Sequence, residues 1–146
     1  MYALVDCNNF FVSCERTLDP ALEGKPVVVL SNNDGCVVSR SKEAKDLGIP
    51  MAAPAFKYKE LFKQHDVKSF SAKFELYNYK SQQVINIASS YVLDYEVYSI
   101  DELFLDLTGF KYIDIYDYCF KIKEEIDEKE NIPVSIGVAP SKTLCK

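Results

Sequence analysis

Tryptophan is absent from this chain of 146 residues, and histidine occurs once, at His65. Cysteine occurs five times, at positions 7, 14, 36, 119 and 145, but no two form a CxxC pair and the number is odd. That pattern disfavours a zinc centre of the Cys/His type. It fits reduced thiols in a cytoplasmic compartment better than a disulfide framework. No apolar run approaches the roughly 20 residues of a membrane span. The start, Met1-Tyr2-Ala3-Leu4-Val5-Asp6, has neither a basic n-region nor a long apolar h-region, so no secretory leader is expected. Repeats and low-complexity tracts are missing too. So is a basic excess: 17 Lys and Arg against 22 Asp and Glu give a formal charge of −5. This argues against a free-standing nucleic-acid binder, which usually carries a basic face. It leaves room for an acidic metal site.

What is present is an ordinary globular composition rich in aromatics, with ten Tyr and nine Phe. The length suits one domain, or one domain carrying a subdomain. Met1 to Asp6 reads as a buried strand with Tyr2, Leu4 and Asp6 on one face and Ala3 and Val5 on the other. Asn8 or Asn9 is placed to cap a short helix through Phe10, Phe11, Cys14 and Leu18. Val27 to Leu30 is a β-branched strand, Asn32-Asn33-Asp34-Gly35 a turn, and Cys36 to Ser39 the returning strand. A helix is expected from Ser39 or Arg40 to Leu47, closed by Gly48, with Arg40, Lys42 and Lys45 exposed. A further helix is expected over Ala55 to Lys63, with Phe56, Leu61 and Phe62 inward, then a short strand over Val67 to Ser71.

Phe74, Tyr77, Val84, Ile87, Ala88 and Tyr91 form one helical stripe. Strands near Tyr95–Ile100 and Leu103–Leu107 follow, then a helix from Asp114 to Glu128, a strand over Val134–Val138, and a helix start at Pro140-Ser141. With residues ~10–72 set aside as an insertion, the order is β-α-β-β-α-β, a ferredoxin-like α+β arrangement. In that topology the end of the first strand lies beside the hairpin between the second and third.

That hairpin carries Ser99-Ile100-Asp101-Glu102. On a flat strand adjacent side chains face opposite ways; at a bend they can converge. With Asp6 brought alongside, three carboxylates could hold divalent ions, Mg²⁺ keeping its waters and borrowing phosphate oxygens. Two ions about 3.5–4 Å apart would clamp both oxygens of a phosphoryl transfer. The bland alternative is a pair of solvated turn acids. Lys45 and Lys142, near helix starts, suit phosphate but also suit an exposed face. Phe10 and Phe11 fit a core as well as a ligand contact.

Several segments, in this order, resemble Y-family translesion DNA polymerases, most closely the UmuC branch. They are Asp6-Cys7-Asn8-Asn9-Phe10-Phe11, Gly24-Lys25-Pro26-Val27-Val28-Val29, Ser31 through Arg40, Glu43-Ala44-Lys45 and Tyr98-Ser99-Ile100-Asp101-Glu102. The resemblance implies a two-metal nucleotidyl transfer from dNTP to a primer 3′-hydroxyl, in DNA repair and the SOS response. It implies Asp6, Asp101 and the Cys7 carbonyl as metal ligands, with Glu102 the remaining catalytic carboxylate. Phe11 falls at the steric-gate position that crowds a ribose 2′-OH, with Phe10 beside it. Ser39, Lys45 and Lys142 fall where the family contacts the triphosphate. Residues 1–19 and 73–146 would be palm and 20–72 fingers, without the thumb and the DNA-gripping domain that normally follow. Mg²⁺, replaceable by Mn²⁺, would be the cofactor. Primer-template DNA and dNTP would be partners, as would UmuD-like subunits and a sliding clamp reached through other parts of the polymerase. Departures are Lys42 at a common tyrosine position, Lys45 where arginine is usual, and Phe11 for tyrosine. A nucleotide cyclase-like palm and a non-catalytic interaction module are the competing readings. The first lacks a Gly-Gly-Asp-Glu hairpin.

Overall fold

The computed structural model describes every residue except Tyr112. In chain order the elements begin with β1 (Tyr2–Cys7), α1 (Phe10–Leu18), β2 (Val27–Leu30), β3 (Val37–Arg40) and α2 (Lys42–Asp46). Next come α3 (Lys59–Gln64), β4 (Lys68–Ser71), α4 (Phe74–Ser89) and β5 (Tyr95–Ser99). The chain ends with β6 (Glu102–Asp106), α5 (Ile115–Glu130), β7 (Val134–Ala139) and α6 (Lys142–Cys145). They form two compact units, one of Met1–Asn8 with Glu75–Lys146 and one of Asn9–Phe74.

The first unit is a four-stranded sheet in the order β5-β6-β1-β7. Every neighbouring pair in it is antiparallel. With α4 and α5 this is the ferredoxin-like β-α-β-β-α-β order expected above. β1 lies in the interior of the sheet and is buried on both sides, which is why it reads as an almost continuous apolar run. Ala3, Val5 and Cys7 share one face with their cross-strand partners Leu105 and Leu103, all nearly inaccessible. Helix α4 buries Tyr77, Ser81, Val84 and Ala88, and α5 buries Cys119, Ile122 and Ile126. Helix α5 starts sharply because the Asp114 carboxylate accepts from the Tyr116 and Asp117 N–H groups.

On the opposite face Leu4, Phe104, Ala139 and Cys145 form a small cluster with Tyr2 packed against it. Helix α6 is laid onto that face so closely that a Cβ built at Gly137 would stand 2.5 Å from the Cys145 carbonyl oxygen. Only glycine allows this backbone-to-backbone approach.

The second unit holds the three-stranded sheet β3-β2-β4, with β2 antiparallel to β3 and parallel to β4. Its core gathers Val28, Val37, Ala44, Ile49, Ala53 and Val67. Four local expectations differ here. Helix α2 starts at Lys42 because Ser39 and Arg40 remain paired in β3. Ser41, fully buried, caps it through the Ala44 N–H. Arg40 is accordingly no exposed helical cation; its guanidinium donates to the Ile49 carbonyl. The helix expected over Ala55 to Lys63 splits into a 3₁₀ turn at Ala55–Lys57 and α3, which leaves Phe56 69% exposed. Asn9 precedes α1 without a side-chain cap bond: its backbone is left-handed, with φ 45°. Asparagine tolerates that conformation, and it turns the chain out of β1.

Candidate active site

The acidic end of β1 assembles from two strands and one turn. Asp6 and Glu102 are direct cross-strand partners, so both side chains rise from the same face of the sheet. Asp101 sits in the tight turn before β6, and its carbonyl accepts the Cys7 N–H at 2.9 Å. That bond fixes the turn against the end of β1. A register shift between Val97 and Ser99 marks a bulge in β5, which places Ser99 opposite Glu102. Bulges of this kind re-aim side chains beside functional sites. The Ser99 hydroxyl donates to Asp101 Oδ1 at 2.9 Å. On the β7 side, the Asn8 N–H donates to the Pro133 carbonyl at 2.9 Å and the Ser135 hydroxyl donates to Asn8 Oδ1 at 2.8 Å.

Asp6, Cys7, Asp101 and Glu102 are therefore brought together from segments about a hundred residues apart. Electrostatics records the cost. Burial, and then the charges of Asp101 and Glu102, push the Asp6 carboxyl above the ordinary aspartate range. Among the described residues, no three His, Cys, Asp or Glu side chains are drawn together tightly enough to form a ready set of metal ligands. The three carboxylates share one negative field, and the donor set is the hard oxygen type that a small divalent cation prefers.

Lys142 stands on the same sheet face but nearer its other end. Its ammonium donates to Glu96 and lies over the rings of Tyr2 and Phe104, at 5.4 and 5.8 Å from their centroids. The Glu96 hydrogen bond holds it protonated above the usual lysine range. The cation that does face the hairpin is Lys146, which the sequence reading did not single out. It donates to the Tyr98 hydroxyl at 2.8 Å and sits 3.9 Å from that ring's centroid. Its pKa is raised first by that hydroxyl and also by the charge of Glu102. Its spacing of four residues from Lys142, one helical turn, was the available signal.

The remaining candidates lie in the second unit. Phe10 is buried and Phe11 half-buried at the start of α1, with ring centroids 5.8 Å apart. Ser39, buried on β3, accepts the Val12 N–H at 3.4 Å, so it lies against the same helical turn as the two phenylalanines. Lys45 is exposed in the last turn of α2.

The chain as a whole is similar to known proteins. The model of the impB/mucB/samB family matches residues 5–146. Protein UmuC of Salmonella typhimurium is 46% identical over 147 residues, and the match takes in all of this chain but 35% of that protein. DNA polymerase IV of Metallosphaera sedula is 36% identical, over 97% of this chain and 42% of its own length. Among solved structures, DinB from Sulfolobus solfataricus superposes with a TM-score of 0.88 at 32% identity, covering 98% of this chain and 43% of the other. An insertion ternary complex of Dbh DNA polymerase gives 0.89 at the same identity, over 99% and 44%. The chain thus spans less than half the length of these relatives. With the matched family model reaching from the strand that carries Asp6 to the last residue, this chain belongs to the impB/mucB/samB family of Y-family DNA polymerases.

Proposed function

We propose that this chain is the N-terminal catalytic part of a lesion-bypass, DNA-directed DNA polymerase. The observation that carries the reading is the Asp6–Glu102 rung with Asp101 tied beside it by the Cys7 N–H. In the reaction a primer 3′-hydroxyl attacks the α-phosphate of a dNTP and pyrophosphate leaves. Asp6, Asp101, Glu102 and the Cys7 carbonyl would hold the metal. Bound Mg²⁺, as two ions, supplies charge neutralisation at the phosphates and lowers the pKa of the attacking hydroxyl. The chain's own work is to keep these oxygens together at one end of the sheet, where burial and then its neighbours' charges already raise the Asp6 carboxyl.

Residues 1–19 and 73–146 serve as palm and 20–72 as fingers. Phe11 excludes a ribose by crowding its 2′-position, and Phe10 supports it. Ser39 and Lys45 serve the triphosphate. For Lys142 to do so it must leave Glu96. Primer-template DNA and dNTP are the substrates, and UmuD-like subunits and a sliding clamp are partners of the whole polymerase, acting in the cytoplasm. Among the described residues no helix is long and apolar enough to cross a membrane.

Primer extension by the full-length polymerase tests this. Asp101→Ala is expected to lower kcat by about 10²–10³-fold or more, as loss of a group that stabilises transferring charge does. Extension at the unmodified rate by that variant would overturn the reading.

A further inference from the structure

Phe11, on which ribose exclusion rests in the reading above, has a partner from the far end of its own unit. Phe74, the first residue of α4, meets the Phe11 ring edge-on, with centroids 5.9 Å apart and planes at 88°. Phe74 is still 41% exposed, so its placement is not a by-product of deep core burial. The residue before it is Lys73. The Lys73 ammonium donates to both carboxylate oxygens of Glu15, at 2.6 and 3.1 Å. Glu15 lies one helical turn beyond Phe11 on α1 and is only 2% exposed. Lys73 also lies over the Phe70 ring, 5.0 Å from its centroid. Consecutive residues therefore grip α1 twice, by an ion pair at Glu15 and by a ring at Phe11.

The physics of the two grips differs. The Lys73 ammonium holds both oxygens of a buried carboxylate, so sliding the segment along α1 would break a buried ion pair, which is costly. A long side chain on a helix has two open χ1 wells. An edge-to-face neighbour favours one orientation of the ring it meets. We propose that Phe74 is a positioning residue for sugar discrimination: clamped by the Glu15–Lys73 pair, it holds the Phe11 ring where it collides with a ribose 2′-hydroxyl. This rests on the reading of Phe11 as the residue that excludes ribose.

The test is single-nucleotide insertion by the full-length polymerase, comparing kcat/KM for a ribonucleotide and the matching deoxyribonucleotide. Phe74→Ala is expected to raise the ribo/deoxy ratio about tenfold, chiefly through a lower KM for the ribonucleotide, while deoxynucleotide kcat stays within about threefold. Phe74→Tyr, which keeps the ring, restores discrimination. Phe74→Leu, which keeps apolar volume without a ring, loses it and serves where the alanine variant fails to fold. Phe11→Ala separates the two claims. If it relaxes discrimination while Phe74→Ala and Phe74→Leu do not, the positioning proposal is overturned alone. If Phe11→Ala leaves the ratio unchanged, the reading of Phe11 falls and the proposal falls with it.

Discussion

Asp6 is the residue at which the proposed function opposes stability. Its carboxyl is raised by burial and by two neighbouring acids, so the folded state holds that proton more tightly than the unfolded chain. The sign follows: the penalty is absent below the ordinary aspartate pKa, grows as pH rises, and is complete above the raised folded value. Asp6→Asn should therefore stabilise the metal-free chain at pH 7 and lose that advantage near pH 3, read as the difference in urea midpoint from the unmodified chain. A midpoint difference independent of pH would contradict it. At this scale acids in a bend are common and say little alone; the pairing of Asp6 with Glu102 was legible only through the topology that lays β1 beside the hairpin. Glu15–Lys73 was not legible, since nothing local in the sequence announces an ion pair between residues 58 apart. The backbone of Asn9 was hidden for another reason: Asn serves both as a side-chain cap and as a left-handed turn residue, and composition does not separate the two roles.

Elements with strong periodicity were readable, and those shaped by neighbours were not. Helices α4 and α5 follow from their apolar stripes, and β1 from its two-sided burial. The start of α2 was set by pairing in β3, and α3 was shortened because Ala55–Lys57 took a 3₁₀ turn and left Phe56 outside. Both are tertiary effects invisible to a local window. The contact of α6 with β7 gives a sharp element-scale prediction. Gly137→Ala forces a methyl group to within 2.5 Å of a carbonyl oxygen on a short helix that must shift. The expected loss is about 1–3 kcal/mol in chemical denaturation, the usual cost of overpacking. An unchanged midpoint would show that α6 is not held where it lies.

For the molecule as a whole, charge decides what this stretch can do by itself. Affinity for duplex DNA comes mainly from phosphate neutralisation by Lys and Arg, and here the net charge is −5. The 146-residue chain should bind primer-template DNA more weakly than about 10 μM at physiological salt, with a shallow salt slope, measured by fluorescence anisotropy. Submicromolar binding would mean that a basic face outweighs the acidic total.

Synthesis adds a constraint of its own. β1 is made well before both of its sheet partners, since Leu4 pairs with Phe104 on one side and with Gly137 on the other. At bacterial or eukaryotic elongation rates the nascent strand waits on the order of ten seconds for both partners. Throughout that interval an apolar segment ending in Asp6 is unpaired and within reach of chaperones. Asp6 is thus translated well before the strands that close around it, β6 and β7.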